Sequence, residues 1–155
     1  MNRDQPEIRN GWTLFQHPAF RDQLARYSAE VEELRGRLDD KAFAEHPKVR
    51  FLARVRKLIL EDIPSDPASK AYELGNTLGE NFRHWRRAKF NQRFRLFFRF
   101  RSDAKIIVYG WLNDENMLRT RGARNDVYAE FRRRLAAGSP PDDWNELVDP
   151  STGSG

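Results

Sequence analysis

Cysteine is absent from the 155-residue chain, which excludes disulfide frameworks, zinc–thiolate centres and cysteine nucleophiles. No apolar run approaches the roughly 20 residues that a bilayer span requires. The opening stretch MNRDQPEIRNGW has no apolar core of a secretory signal, so a cytoplasmic protein is the expectation. Histidine is scarce: His17, His46 and His84 lie far apart, without metal-ligand spacing. His17 and His46 each precede a proline, as capping or surface residues do. No Walker loop, dinucleotide fingerprint or HExxH motif occurs. The carboxylates of the basic segment, Asp103, Asp114, Glu115, Asp126 and Glu130, are too dispersed for a two-metal nuclease. Neither a metal nor a cofactor is therefore expected.

What the chain does have is positive charge gathered in one place. Residues 1–82 carry 13 Lys and Arg against 14 Asp and Glu, residues 83–134 carry 15 against 5, and residues 135–155 carry none against 4. The net charge of +5 thus conceals a middle segment of +10. Such concentration points to a polyanionic partner. Within it, HWRRAKFNQRFRLFFRF (84–100) separates with period two. Phe94, Leu96, Phe98 and Phe100 share one side, and Arg93, Arg95, Phe97, Arg99 and Arg101 the other. One side suits a core and the other a basic surface.

The apolar spacing predicts the frame around this stretch. Phe20, Leu24, Tyr27, Val31, Leu34 and Leu38 form one helical stripe that ends near Gly36 and Asp39-Asp40. A second stripe starts after Pro47, uses Phe51, Leu52, Val55, Leu58 and Ile59, and stops at Ile63-Pro64. Together they make a helical hairpin. Residues 64–82 are rich in turn formers and hold at most one helical turn. Strands follow near 84–90, 93–101 and 105–112, with joints short enough to impose an antiparallel meander whose central strand is Lys105–Leu112. A helix capped by Asn125 places Val127, Phe131 and Leu135 inward and ends at Gly138 and Pro140-Pro141. Residues 1–10 are expected to be frayed, and residues 151–155 to form a flexible tail on one domain spanning 1–150. The class is α+β: an N-terminal helical hairpin packed on a small antiparallel sheet, with a C-terminal helix. The sheet face bearing Arg87, Lys89 and Arg95 is expected to stay open.

A basic surface without metal ligands permits one economical reaction. RNA carries its own nucleophile, the 2′-hydroxyl beside each phosphate. A protein needs only to align it, stabilise the phosphorane charge and help protons move. DNA lacks that hydroxyl and would stay uncut.

Four stretches, NGWTLFQHPAF (10–20), RFRLFFRF (93–100), GWLNDENMLRTRG (110–122) and PPDDW (140–144), together resemble the YhaV-type toxins. These are a bacterial toxin–antitoxin family within the RelE superfamily of messenger-RNA endonucleases. The resemblance runs in order over nearly the whole chain. It implies a RelE-like, microbial-RNase-like fold and a metal-independent endoribonuclease that blocks translation and growth. It also implies inhibition by a PrlF-type antitoxin. The superfamily places basic residues on its first sheet strand, here Arg87 and Lys89, and an Arg after an aromatic on the next, here Phe94-Arg95. A further Arg follows the last strand, and a Tyr opens the C-terminal helix, here Tyr128. The Arg after the last strand has three candidates, Arg119, Arg121 and Arg124, because this segment is longer than the superfamily's.

The candidate catalytic set is therefore Arg87, Lys89, Arg95, Arg119 and Tyr128. Arg86, Arg93, Arg99, Arg121, Arg124 and Trp111 are candidates for binding RNA. Glu115, Asp114 and His84 are candidate general bases. Each basic residue has a plain alternative as a solvated or carboxylate-paired surface group. Arg132–Arg134 sit where a helix C-terminus favours cations in any case. Expected partners are the antitoxin, messenger RNA with or without the ribosome, and operator DNA together with the antitoxin; no membrane is expected. The alternative function is a non-catalytic nucleic-acid-binding protein or corepressor using the same basic face.

Overall fold

The dipeptide Asn10-Gly11 sets the first hairpin, both residues holding left-handed backbone (φ 52° and 81°) as a tight two-residue turn requires. It joins β1 (Glu7–Arg9) to β2 (Trp12–Gln16), whose Trp12, Leu14 and Gln16 point inward. The computed structural model describes residues 6–113 and 127–151. Residues 7–9 are thus strand, contrary to the expectation of a frayed start.

α1 (Pro18–Arg35) begins at His17, whose Nδ1 accepts the Ala19 amide at 3.0 Å. α2 (Asp40–Glu45), which the periodicity did not reveal, starts at Asp39, whose side chain accepts the Ala42 amide. His46 caps α3 (Pro47–Lys57) in the same way as His17 caps α1. α3 then widens into a π-helical turn, Leu58–Asp62, and ends in the single turn α4 (Ile63–Ser65). The Ile59 carbonyl in the widened turn accepts the buried Tyr109 hydroxyl at 2.6 Å. Asp62 meets Arg54 at 2.9 Å and Lys57 at 3.0 Å. Burial pushes its carboxyl up, but the bonds from Lys57 and Arg54 prevail and hold it below the usual carboxylate range.

The meander is present: β3 (Arg86–Phe90), β4 (Phe94–Arg101) and β5 (Ile106–Leu112) pair antiparallel. The sheet is larger than the meander, with order β1-β2-β5-β4-β3 and a parallel β2–β5 pair. β5 is central, as its apolar run predicted. One face carries Phe94, Leu96, Phe98, Ile107 and Tyr109 against α1 and α3. The other face was expected to be open. It is covered instead by α5 (Val127–Ala137), α6 (Trp144–Val148) and residues 74–85, around Phe97, Val108, Trp111, Trp85 and Phe131. Phe131 stacks on Phe97 at 4.0 Å and 10°.

A bulge at Gly110 makes this second core possible. Phe97 faces Trp111 while Phe98 faces Tyr109, so Gly110 is the extra residue. Tyr109 and Trp111 would otherwise share a face; the bulge sends them to opposite cores. Gly110 also gives Trp85 its place, since a Cβ there would lie 2.9 Å from the Trp85 ring.

Among the described residues no helix is long and apolar enough to cross a membrane.

Candidate active site

On the covered face Lys89 is exposed and Arg87 and Arg95 are half-buried. Strands β3 and β4 pair in register, Arg87 opposite Phe97 and Lys89 opposite Arg95, so all four side chains share one side. Spacing on α5 puts Tyr128 on the same helix face as Phe131 and Leu135. Phe131 docks that face on Phe97, and the Tyr128 ring then meets Phe97 edge-on at 5.8 Å. Its hydroxyl accepts Arg95 Nε at 3.3 Å. The Arg87 guanidinium lies 6.0 Å from the centre of the same ring. Arg87, Lys89, Arg95 and Tyr128 are thus brought together.

Their partners explain how they are aimed. Arg95 Nη1 donates to the Gln92 and Phe94 carbonyls, each at 3.0 Å, which fixes the plane of the guanidinium. Arg87 Nη1 donates to the Glu73 carbonyl at 2.9 Å. Among the described residues none of Arg87, Lys89 and Arg95 has a carboxylate partner, whereas Arg9, Arg54, Arg101, Arg133 and Arg134 do. Lys89 and Arg95 face each other directly, a like-charge arrangement that costs a sheet stability. An anion lying across the two strands would relieve that repulsion. Arg93 stands exposed in the adjoining turn, where Asn91 and Gln92 both take left-handed backbone.

Other candidates fall elsewhere. Arg86 alternates to the opposite side of β3, where its guanidinium lies over Phe100 and bonds the Arg83 carbonyl. Arg99 is folded under the C-terminal segment, between Trp85 and Trp144, and donates to the Asp142 carbonyl at 2.6 Å. Burial lowers its pKa. His84 is bound to Asp142 Oδ1 at 2.6 Å, an oxygen that also accepts the Trp85 indole N–H at 2.9 Å. These contacts tie Arg99 and His84 to the segment 140–148. Trp111, 1% exposed and stacked with Phe97 and Phe131, has no face on which a base could stack. Arg86, Arg99, Trp111 and His84 are thus not brought into the exposed group that Arg87, Lys89, Arg95 and Tyr128 form. Asp114, Glu115, Arg119, Arg121 and Arg124 lie outside the described residues. Arg133 and Arg134 pair with Glu130.

Two residues of the site's surroundings were not singled out from sequence. Asn113, 1% exposed, accepts the Arg95 amide through Oδ1 at 2.7 Å and donates Nδ2 to the Arg93 carbonyl at 3.0 Å. Gln23 on α1 makes the matching pair of bonds to the backbone of Leu112. The signal for Asn113 was its place in GWLNDENM, a string that packing alone does not call for.

A family model described as a toxin with endonuclease activity, of a toxin–antitoxin system, matches residues 14–152. The chain belongs to the YhaV toxin family. It is 42% identical over 147 residues to Toxin YhaV of Escherichia coli O6:H1, covering 94% of this chain and 95% of that protein. Identity and coverage are the same with the Ribonuclease toxin YhaV of Escherichia coli K12. No solved structure matches the chain. The family match begins within β2 and takes in every element from α1 to α6, and with them the Arg87–Lys89–Arg95–Tyr128 group.

Proposed function

We propose that this protein is the toxin of a toxin–antitoxin pair and an endoribonuclease that cuts messenger RNA without a metal. The observation that carries this reading is the set of three cations on adjacent strands, two of them directly opposed, without carboxylate partners among the described residues. A phosphodiester laid across β3 and β4 meets Lys89 and the oriented Arg95 fork, with Arg87 beyond. The RNA's 2′-hydroxyl gives up its proton to water as its oxygen attacks the phosphorus, the bond to the 5′-oxygen breaks, and that oxygen takes a proton from water as it leaves. The products are a 2′,3′-cyclic phosphate and a 5′-hydroxyl. The guanidiniums and ammonium stabilise the charge that gathers on the non-bridging oxygens. Tyr128 holds Arg95 against the phosphate. A PrlF-type antitoxin silences the toxin in the cytoplasm by covering the basic group, for which an acidic segment is the complementary partner.

The test is incubation of the purified protein with RNA and DNA oligonucleotides in EDTA, with and without ribosomes. RNA fragments ending in a 2′,3′-cyclic phosphate, with DNA intact, are expected. RNA left whole under both conditions refutes the enzyme reading, and retained DNA binding then favours a repressor.

A further inference from the structure

Arg95 sits at the first turn-proximal end of β4, where a sheet normally frays. The register Leu96 opposite Leu112 puts Asn113 opposite Arg95. There the main-chain ladder stops, and the Asn113 side chain takes over. Its amide bonds both the Arg95 N–H and the Arg93 carbonyl, so it reproduces the two bonds of a strand pair. Beyond Tyr109, opposite Gln16, β2 offers β5 no partner on the other side. Gln23 fills that place: Nε2 donates to the Leu112 carbonyl at 2.6 Å and Oε1 accepts the Leu112 N–H at 3.1 Å. Two buried side-chain amides thus hold the end of β5 from both sides, and one of them grips the backbone of Arg95.

We propose that Asn113, braced through Leu112 by Gln23, is a positioning residue for cleavage: it fixes the backbone from which Arg95 reaches the phosphate. The inference rests on the reading of Arg95 as a catalytic group. An apolar pair in these places would leave the Arg95 and Leu112 N–H groups and the Arg93 and Leu112 carbonyls without partners. The amides do what an apolar pair cannot. They set the height of the Arg93–Arg95 backbone relative to β5, and with it the distance from Arg95 to Tyr128.

The test compares Asn113→Asp, Gln23→Glu and Arg95→Ala with the wild type, measuring kcat and KM on an RNA oligonucleotide beside thermal melts. Asn113→Asp keeps the acceptor for the Arg95 N–H but turns a carboxylate oxygen toward the Arg93 carbonyl. It is expected to lose about 10- to 100-fold in kcat, as a misplacement of about 1 Å does, with KM little changed because Arg87 and Lys89 still hold the phosphate. Lowering the pH protonates the new carboxyl, which can then donate to Arg93, so the ratio of variant to wild-type kcat should rise as the medium is acidified. A folded Asn113→Asp with wild-type kcat, beside an inactive Arg95→Ala, overturns the inference and leaves the site reading intact. An active Arg95→Ala overturns both. Should Asn113→Asp fail to fold, Gln23→Glu is read by the same kinetic split. Hydrogen exchange of the wild-type Arg95 amide then decides as well: exchange as fast as at exposed Gln92 overturns the inference.

Discussion

Replacing Lys89 by Glu should make the protein more stable and less active at once. Lys89 and Arg95 are directly opposed cross-strand neighbours, and among the described residues neither has a carboxylate partner. Their charged groups are roughly 6 Å apart if the side chains run parallel. At the dielectric of water that repulsion is about 0.7 kcal/mol, and salt near 0.15 M reduces it to about 0.3 kcal/mol. Reversing one charge turns repulsion into attraction of the same size. The gain is therefore about 0.6 kcal/mol, or a Tm rise of about 1–2 °C for a chain of this length. Lys and Glu are similarly poor strand formers, so propensity does not blur the comparison. The gain should shrink in 0.5 M NaCl, which separates electrostatics from packing. Calorimetry at low and high salt reads the stability, and cleavage of a fluorescent RNA reads the activity. A carboxylate beside Arg95 repels the phosphate, and a loss of about 100-fold or more is expected by analogy with deletion of an oxyanion donor. A variant less stable than the wild type, or one cleaving at the wild-type rate, refutes the argument that these cations are held apart from partners for a substrate's sake.

Arg95→Lys keeps the charge but offers a single nitrogen where Arg95 reaches Tyr128 through Nε and the two carbonyls through Nη1; kcat should fall by the equivalent of about 2–4 kcal/mol of barrier, with Tm within about 3 °C of the wild type. Unfolding at room temperature would make Arg95 a structural residue instead. Gly110→Ala forces a Cβ to within 2.9 Å of the Trp85 ring, and calorimetry should show a loss of about 1–3 kcal/mol. The lowered pKa of Asp62 means that the unfolded chain takes up a proton on acidification before the folded one does. Its stabilisation is thus complete above the ordinary carboxylate value and lost as pH falls through the lower folded value. Asp62→Asn should accordingly lower Tm at neutral pH and show a shallower Tm decline in acid than the wild type, and equal slopes would refute the Asp62 account.

The strands of the meander and the long helices were legible because each is patterned by its own residues. Phe94, Leu96, Phe98 and Phe100 face α1 and α3 as their period required, and His17 and His46 cap helices as their place before proline suggested. Two further signals were present but short. Asn10-Gly11 is a strong hairpin dipeptide, and Asp143 three residues before Glu146 is a capping pattern that opens α6. What local pattern could not disclose was the cover on the second face. Phe97 and Trp111 look alike whether they meet solvent or Phe131, and the residues that bury them come from 74–85 and 127–148. The same limit governed the site. Alternation distinguishes Arg87 from Arg86, but that Arg99 and His84 are spent on Asp142 depends on a residue 43 and 58 positions away.

The second core also explains how repulsive cations can be kept at a fixed spacing. β4 is gripped on one side through Phe94, Leu96 and Phe98 and on the other through Phe97, with Arg95 and Arg99 on the same side as Phe97. Arg95 cannot swing from Lys89 without moving a strand that both cores hold. Tyr128 cannot follow it without breaking the Phe131–Phe97 stack. A loop carrying the same charges would relax until they separated; a strand between two cores does not. In the proposed reaction the repulsion that remains is relieved when negative charge arrives, which would favour the bound phosphate and most of all its transition state, where the oxygens carry the most charge.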